Sequence, residues 1–329
     1  MPSIRATVTA ATLNVRPAPN TSQAPTGVLP RGTSVEVLER HGRWFRVRAN
    51  DLTGYVHGDF LRLDNGAPVP AFLSESEALC AAALEAQTGR RLEGLDVGGT
   101  RRMTAQTWNR YGGLLELLSS AVGIRPAAAV AVLCVESGGR AFGDDGRMII
   151  RFENHIFWDQ WGRFHPDTFR EHFRFAGGRR WTGHRFRDQR TGSWETLHTG
   201  QRNEWRALTL ARGLHEAAAL RSISMGAPQI MGFNHARIGY DSVQRMFDQM
   251  TRDERFHILA LFDFIRGPGT TSRMLEALRR EQYVSFATGY NGAGQAPVYG
   301  ERIRAHVDAF DQVCRVAGLD LRGGQPVYA

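Results

Sequence analysis

The sequence contains no lysine: its 41 basic residues are all arginine, and against 33 acidic residues they leave a formal net charge of +8. Such an excess draws the protein toward polyanions (nucleic acid, anionic lipid headgroups, bacterial cell wall) without choosing among them. Cysteine is scarce. Cys80, Cys134 and Cys314 are odd in number and far apart, which excludes a disulfide framework and gives no metal-ligand spacing. Cys134 sits in an apolar run and is expected to be a buried free thiol. His155, His165, His172 and His184 are too irregularly spaced to form a recognisable zinc pattern, so no metal and no cofactor is expected. No apolar run approaches the roughly 18–20 residues that span a bilayer, so no membrane insertion is expected. Met1-Pro2-Ser3-Ile4-Arg5 is not followed by the apolar stretch of a secretory leader, so cytoplasmic synthesis without a signal peptide is the expectation. The basic charge comes without a helix-turn-helix, zinc-finger or RNA-binding signature, and no nucleic-acid partner is expected. No long-period repeat is visible.

What is present falls into two regions, as a length of 329 residues suggests. Residues 1–63 read as short strands: segments 5–9, 34–39, 44–48 and 53–57 alternate apolar and polar side chains between turn residues. So many strands in so few residues suggest a small barrel. Residues 64–103 form a linker and helical connector, with Asn, Gly and two prolines between Asp64 and Phe72 and an Ala/Leu/Glu stretch, Ser76 to Gln87, that reads as helix with Gly89 as its stop. From 104 to 318 the pattern is mainly helical, and 319–329 is a tail. Trp108, Tyr111, Leu114, Leu115, Leu117 and Leu118 recur at helical spacing, and Pro126 opens a nearly continuous Ala/Val/Leu helix up to Val135. The fold class is therefore α+β in two domains, a small all-β barrel followed by a mainly α domain.

The first region carries Leu13-Asn14-Val15-Arg16, Val28-Leu29-Pro30-Arg31-Gly32-Thr33, Gly42-Arg43-Trp44-Phe45-Arg46-Val47 and Gly54-Tyr55-Val56-His57 in that order. It resembles a bacterial SH3-like domain, which implies binding to wall peptides. Trp44 and Tyr55 are the candidates for a ligand-stacking surface. Alternation with charged neighbours favours core packing for Trp44; Tyr55 is balanced between the two roles.

Glu136 is the most informative residue. It follows the apolar helix directly and precedes Ser137-Gly138-Gly139, a helix-stopping sequence. A carboxylate there meets desolvation and the negative end of the helix dipole, and both favour the protonated form that a general acid needs near neutral pH. Downstream lie Ser224-Met225-Gly226-Ala227-Pro228-Gln229-Ile230-Met231-Gly232 and Tyr290-Asn291-Gly292-Ala293-Gly294. The order Glu-Ser, Gly-x-x-Gln-Ile-Met, Tyr-Asn-x-x-Gly resembles the goose-type lysozyme and lytic transglycosylase superfamily. With Asp145 to Phe157 and Gln229 to Asn234 added, residues 104–318 are similar to the N-acetylmuramidase domain of phage endolysins and related lytic proteins. Ala227-Pro228 departs from the small-apolar pair expected there, and the Arg- and Trp-rich stretch 163–206 aligns least well.

The resemblance implies a lysozyme-like fold and cleavage of the MurNAc–GlcNAc bond of peptidoglycan with Glu136 as acid. It implies that Ser137, Gln229, Ile230, Met231, Tyr290 and Asn291 contact glycan. Glu153, at the end of the apolar run Met148 to Phe152, is the candidate second carboxylate, with a structural carboxylate paired to His155 or an arginine as the alternative. Asp144 and Asp145, beside Gly143 and Gly146, read as turn formers. A lytic transglycosylase giving anhydro-MurNAc needs only one acid and is the alternative reaction; a non-catalytic wall- or nucleic-acid-binding protein is a further one. The expected partners are glycan strands and stem peptides. An immunity protein or a secretion machine joins them if the protein is a delivered effector, and holin release is the route if it is an endolysin acting on the wall.

Overall fold

The computed structural model describes residues 4–41, 43–63, 72–267 and 272–321. Residues 64–71 of the expected linker and 322–329 of the expected tail lie outside them. The barrel region holds seven strands, β1 (Ile4–Val8), β2 (Thr12–Val15), β3 (Gly27–Pro30), β4 (Ser34–His41), β5 (Trp44–Ala49), β6 (Leu52–His57) and β7 (Leu61–Leu63). Five of them form an antiparallel sheet in the order β6-β5-β4-β1-β7, and β2 and β3 make a separate hairpin tied to β6 by an Arg16–Tyr55 bridge. Alternation decides which side chains enter the core. Val8, Val15, Val35, Phe45, Val47 and Val56 are buried, while their sequence neighbours face outward.

Trp44 therefore departs from the core packing expected of it. Phe45 and Val47 take the inward positions on β5, and Trp44 and Arg46 share the other face. In the β5–β6 register they stand opposite His57 and Tyr55. Trp44 is half-buried, edge-on to the His57 ring at 5.3 Å between centroids, and Tyr55 is half-buried on the same face.

The mainly helical part follows in the order α1 (Glu77–Ala81), α2 (Gly99–Val122), α3 (Pro126–Ser137), β8 (Ile150–Phe152), α4 (Asn154–Gln160), α5 (Pro166–His172), β9 (Phe173–Arg174), β10 (Arg185–Phe186), β11 (Glu195–Thr196), α6 (Gln201–Arg221), β12 (Ile223–Met225), β13 (Ile230–Met231), α7 (Val243–Arg252), α8 (Glu254–Arg266), α9 (Arg273–Arg279), α10 (Tyr283–Asn291) and α11 (Ala296–Val316). Two compact units emerge. One holds residues 1–135, 237–239 and 258–329, and the other holds 136–236 and 240–257. One boundary between these units falls inside α3, between Val135 and Glu136. No helix among the described residues is long and apolar enough to cross a membrane.

In the first unit, the helix expected from Ser76 to Gln87 ends at Ala81, with Ala82 extended as its cap. The reason is tertiary. The next residues run extended along α2, where the Ala86 amide donates to the Asn109 carbonyl at 3.1 Å. A Cβ at Gly113 would lie 2.4 Å from the Glu85 carbonyl and 2.6 Å from that of Ala83. The helix lacks a side chain where the strand-like segment must approach, and that contact outweighs the helix propensity of the Ala/Leu/Glu run. Ala127 to Cys134 of α3 are all buried, as the apolar run implied. Cys134 is a free thiol 3.3 Å from the Thr107 hydroxyl, and burial pushes its pKa up to about 12.

Candidate active site

Glu136 is the penultimate residue of α3 and is half-buried, as is Ser137. The helix stops where Gly138 and Gly139 take left-handed backbone angles of +65° and +71°. The Ser137 hydroxyl oxygen accepts from the Arg140 amide at 3.2 Å. Beyond the turn, Asp145 accepts from the Arg147 amide and from its guanidinium, closing the bridge between Phe142 and Met148. Asp145 and Asp144 are thus the turn formers expected of them.

In the same unit β8, β12 and β13 form an antiparallel sheet that carries the glutamine motif, Met225 pairing with both Ile150 and Ile230. Its edge is held from α6: Gln201 exchanges two hydrogen bonds with the Ile150 backbone, each at 2.9 Å, and the Phe152 amide donates to Glu204 at 2.7 Å. The loop from Gly226 to Gln229 turns on a buried imidazole. His257 Nε2 donates to the Met250 carbonyl at 2.6 Å, which leaves Nδ1 to accept from the Ala227 amide at 3.1 Å. Ala227, half of the departure from the family pattern, is therefore a fully buried support.

Gln229 sits at φ +49°. Its carbonyl oxygen accepts from the Ser224 hydroxyl at 2.7 Å, and its amide donates to the Gly226 carbonyl at 2.7 Å. The side chain thus holds the loop on the sheet. Ile230 is only 3% exposed and belongs to the core, whereas strand alternation leaves Met231 half-buried. Tyr290 and Asn291 end α10 in the other unit, Tyr290 packed against Phe264 and Phe286.

Burial holds the His257 pKa down from 6.5 to about 4. Between those values the unfolded chain binds the extra proton, so the His257 contribution to stability is full above pH 6.5 and is lost as the pH falls toward 4. Its size is about 3 kcal/mol. Denaturant unfolding from pH 7 to pH 4 is expected to show this slope in the native protein and not in His257→Asn; equal slopes would exclude it.

Glu153 is engaged on both carboxylate oxygens. Its Oε1 accepts from Arg151 Nε at 2.7 Å. Its Oε2 is buried, 3.5 Å from His155 Nδ1 and 3.3 Å from His184 Nδ1. This is the structural pairing with His155 and an arginine that the sequence left open. Two further residues that sequence reasoning missed belong to the cluster. His198 Nε2 lies 2.9 Å from His184 Nδ1, and its Nδ1 lies 3.0 Å from the nearly buried Glu204. Glu153, His155 and His184 are the residues among those described that could hold a metal. No spacing signal marks them, because β9, β10 and β11 fold back to bring residue 184 to residue 153.

The arginines and aromatics of 163–206 are mostly engaged with one another. Arg174 and Arg187 stand over the Trp194 ring at 3.8 and 4.5 Å, Arg206 bonds Glu195 and Asp188, and Arg180 bonds Asp159 at 2.6 Å. The stretch is held by its own guanidinium–ring and ion-pair contacts, and it is the insert that carries His184 and His198.

A mainly helical region with a half-buried glutamate at the end of an apolar helix, preceded by a five-stranded sheet and a two-stranded hairpin, is the setting of a wall-degrading glycosidase. A family model described as N-acetylmuramidase matches residues 125–311, and one described as bacterial SH3 domain matches residues 11–62. The chain belongs to the N-acetylmuramidase family: it is a peptidoglycan hydrolase of the muramidase type that carries a bacterial SH3 domain. No curated protein matches it. The crystal structure of Burkholderia AP3 phage endolysin is similar at 26% identity, covering 60% of this chain and 70% of that one, with a TM-score of 0.47.

Proposed function

We propose that the protein cleaves the glycosidic bond between MurNAc and GlcNAc by protonating the leaving oxygen with Glu136, water then capturing the sugar. The observation that carries this reading is the half-buried glutamate near the end of a helix in which Ala127 to Cys134 are buried. That is the position in which a carboxylic acid keeps a proton to give. Ser137, Met231, Tyr290 and Asn291 are the glycan-contacting residues of this reading, with Gln229 as the strut of the loop. The Trp44–Tyr55 face of the barrel binds stem peptide.

One observation favours a second reading. Glu153 is committed to Arg151 and two histidines, so a route that needs a single acid, attack by the sugar's own hydroxymethyl oxygen, is chemically sufficient. Mass spectrometry of digested peptidoglycan separates the two. Hydrolysis is expected, giving muropeptides with reducing-end MurNAc; products lighter by one water, with anhydro-MurNAc ends, would replace this reading by the transglycosylase.

A further inference from the structure

The cluster around Glu153 presents three electron-pair donors to one point. His184 Nε2 lies 2.9 Å from the Arg180 carbonyl. A carbonyl only accepts, so that nitrogen carries the hydrogen, and Nδ1 of the neutral ring is a lone pair. Glu153 Oε2 and His155 Nδ1 are buried and form no hydrogen bond among the described residues. Buried polar atoms are ordinarily satisfied, and each exception asks for a partner.

The separations name the partner. Ligands of a tetrahedral ion with bonds of about 2.0–2.1 Å stand about 3.3–3.4 Å apart. Glu153 Oε2 lies 3.3 Å from His184 Nδ1 and 3.5 Å from His155 Nδ1, close to that spacing, and one ligand atom from each of the three lies within 4.8 Å of the others. Its surroundings match as well. Ligating histidines typically give their other nitrogen to a carbonyl or carboxylate. His184 gives Nε2 to the Arg180 carbonyl, while His198, whose Nε2 lies 2.9 Å from His184 Nδ1, is anchored at its Nδ1 by Glu204. Glu204 in turn accepts from the His198 and Phe152 amides, each at 2.7 Å. His198 is held at φ +67°, a conformation rare outside glycine and typical of over-determined sites.

We propose that Glu153, His155 and His184 bind a zinc ion. Two imidazole nitrogens with one carboxylate form a donor set that suits zinc, the fourth tetrahedral position being left to water. Glu153 and His155 open α4 directly after β8, whereas His184 precedes β10 and His198 follows β11. The ion fastens the arginine-rich insert to the sheet that carries the glutamine motif. Glu153 is then a ligand and not a partner of the acid.

The test is metal analysis of untagged full-length protein, exposed to zinc alone and dialysed, with thermal unfolding before and after a chelator. Roughly one zinc per chain is expected. Chelation is expected to lower the Tm by about 5–10 °C, reversibly on zinc addition. His184→Ala, and Glu153→Gln as the variant less disruptive to folding, are expected to bind at least about tenfold less zinc. Cobalt replacing zinc in the native chain is expected to give the visible absorption of a tetrahedral site, a readout independent of any variant's folding. A dialysed native protein without zinc, a Tm indifferent to chelator, or full zinc content in both variants would each overturn the site. None of these readouts depends on which glycosidic product forms.

Discussion

Replacing Glu136 by glutamine is expected to lower the rate of wall lysis by about 10²–10⁴-fold, the usual worth of a positioned general acid. The amide preserves the shape of the side chain and has no acidic proton to deliver to the leaving oxygen. Folding is not expected to suffer. The stability of α3 comes from Ala127 to Cys134, which are buried, whereas position 136 is half-buried at the helix end. The expected result is therefore a split: clearing of permeabilised Gram-negative cells is lost, while the Tm stays within about 2 °C and sedimentation with purified wall is unchanged. Glu136→Gln retaining more than a tenth of native activity would remove the residue from the mechanism. An equally inactive but unfolded variant would be recognised by its Tm.

Gly226→Ala is expected to be the most damaging single-methyl change to the second unit. Gly226 lies at φ +64°, and a Cβ there would stand 1.8 Å from His257 Nδ1. Left-handed backbone costs a non-glycine residue about 1–2 kcal/mol, and forcing a methyl into a filled site typically costs about 1–3 more. The imidazole cannot swing away cheaply, because it accepts from the Ala227 amide and donates to Met250. Moving it leaves buried groups unpaired, at about 1–3 kcal/mol. A loss of about 3–5 kcal/mol by denaturant titration is expected, and activity should fall with it because Gln229 hangs on the same loop. A loss below 1 kcal/mol would mean that the loop relaxes freely and that His257 is no prop.

How far these features could be read from the chain depends on the range of the forces involved. The barrel strands were legible because alternation in 34–39, 44–48 and 53–57 records a one-sided burial that each strand carries alone. Alternation also tells inside from outside only once one residue is fixed. Phe45, not Trp44, is the inward one, and competition between two adjacent aromatics is settled by the opposite strand. Ser76 to Gln87 reads as helix by propensity and becomes extended beyond Ala81, because α2 presents Gly112-Gly113 to it, a contact that local sequence does not report. Glu136 and the Gly226–Met231 segment were visible because helix stops and loop glycines are local signals. The histidine cluster was not: His155 and His184 are 29 residues apart, and they meet only because of a hairpin held by arginine–tryptophan stacking. Ile230 was assigned to the ligand with its neighbours, and a one-residue shift on a strand reverses that role.

The second unit is not continuous in the chain: its last residues, 240–257, come after a short excursion through 237–239. His257 is the final residue of that unit, and it supports a loop some thirty positions earlier. During synthesis the Gly226–Gln229 turn therefore has no imidazole to close on until α8 has left the ribosome, at roughly 5–20 residues per second. A fragment cut at residue 236 would carry Glu136, Glu153 and the whole glutamine motif, and would still lack the ring on which that motif is built. Any attempt to transplant the second unit into another protein must carry the chain through His257.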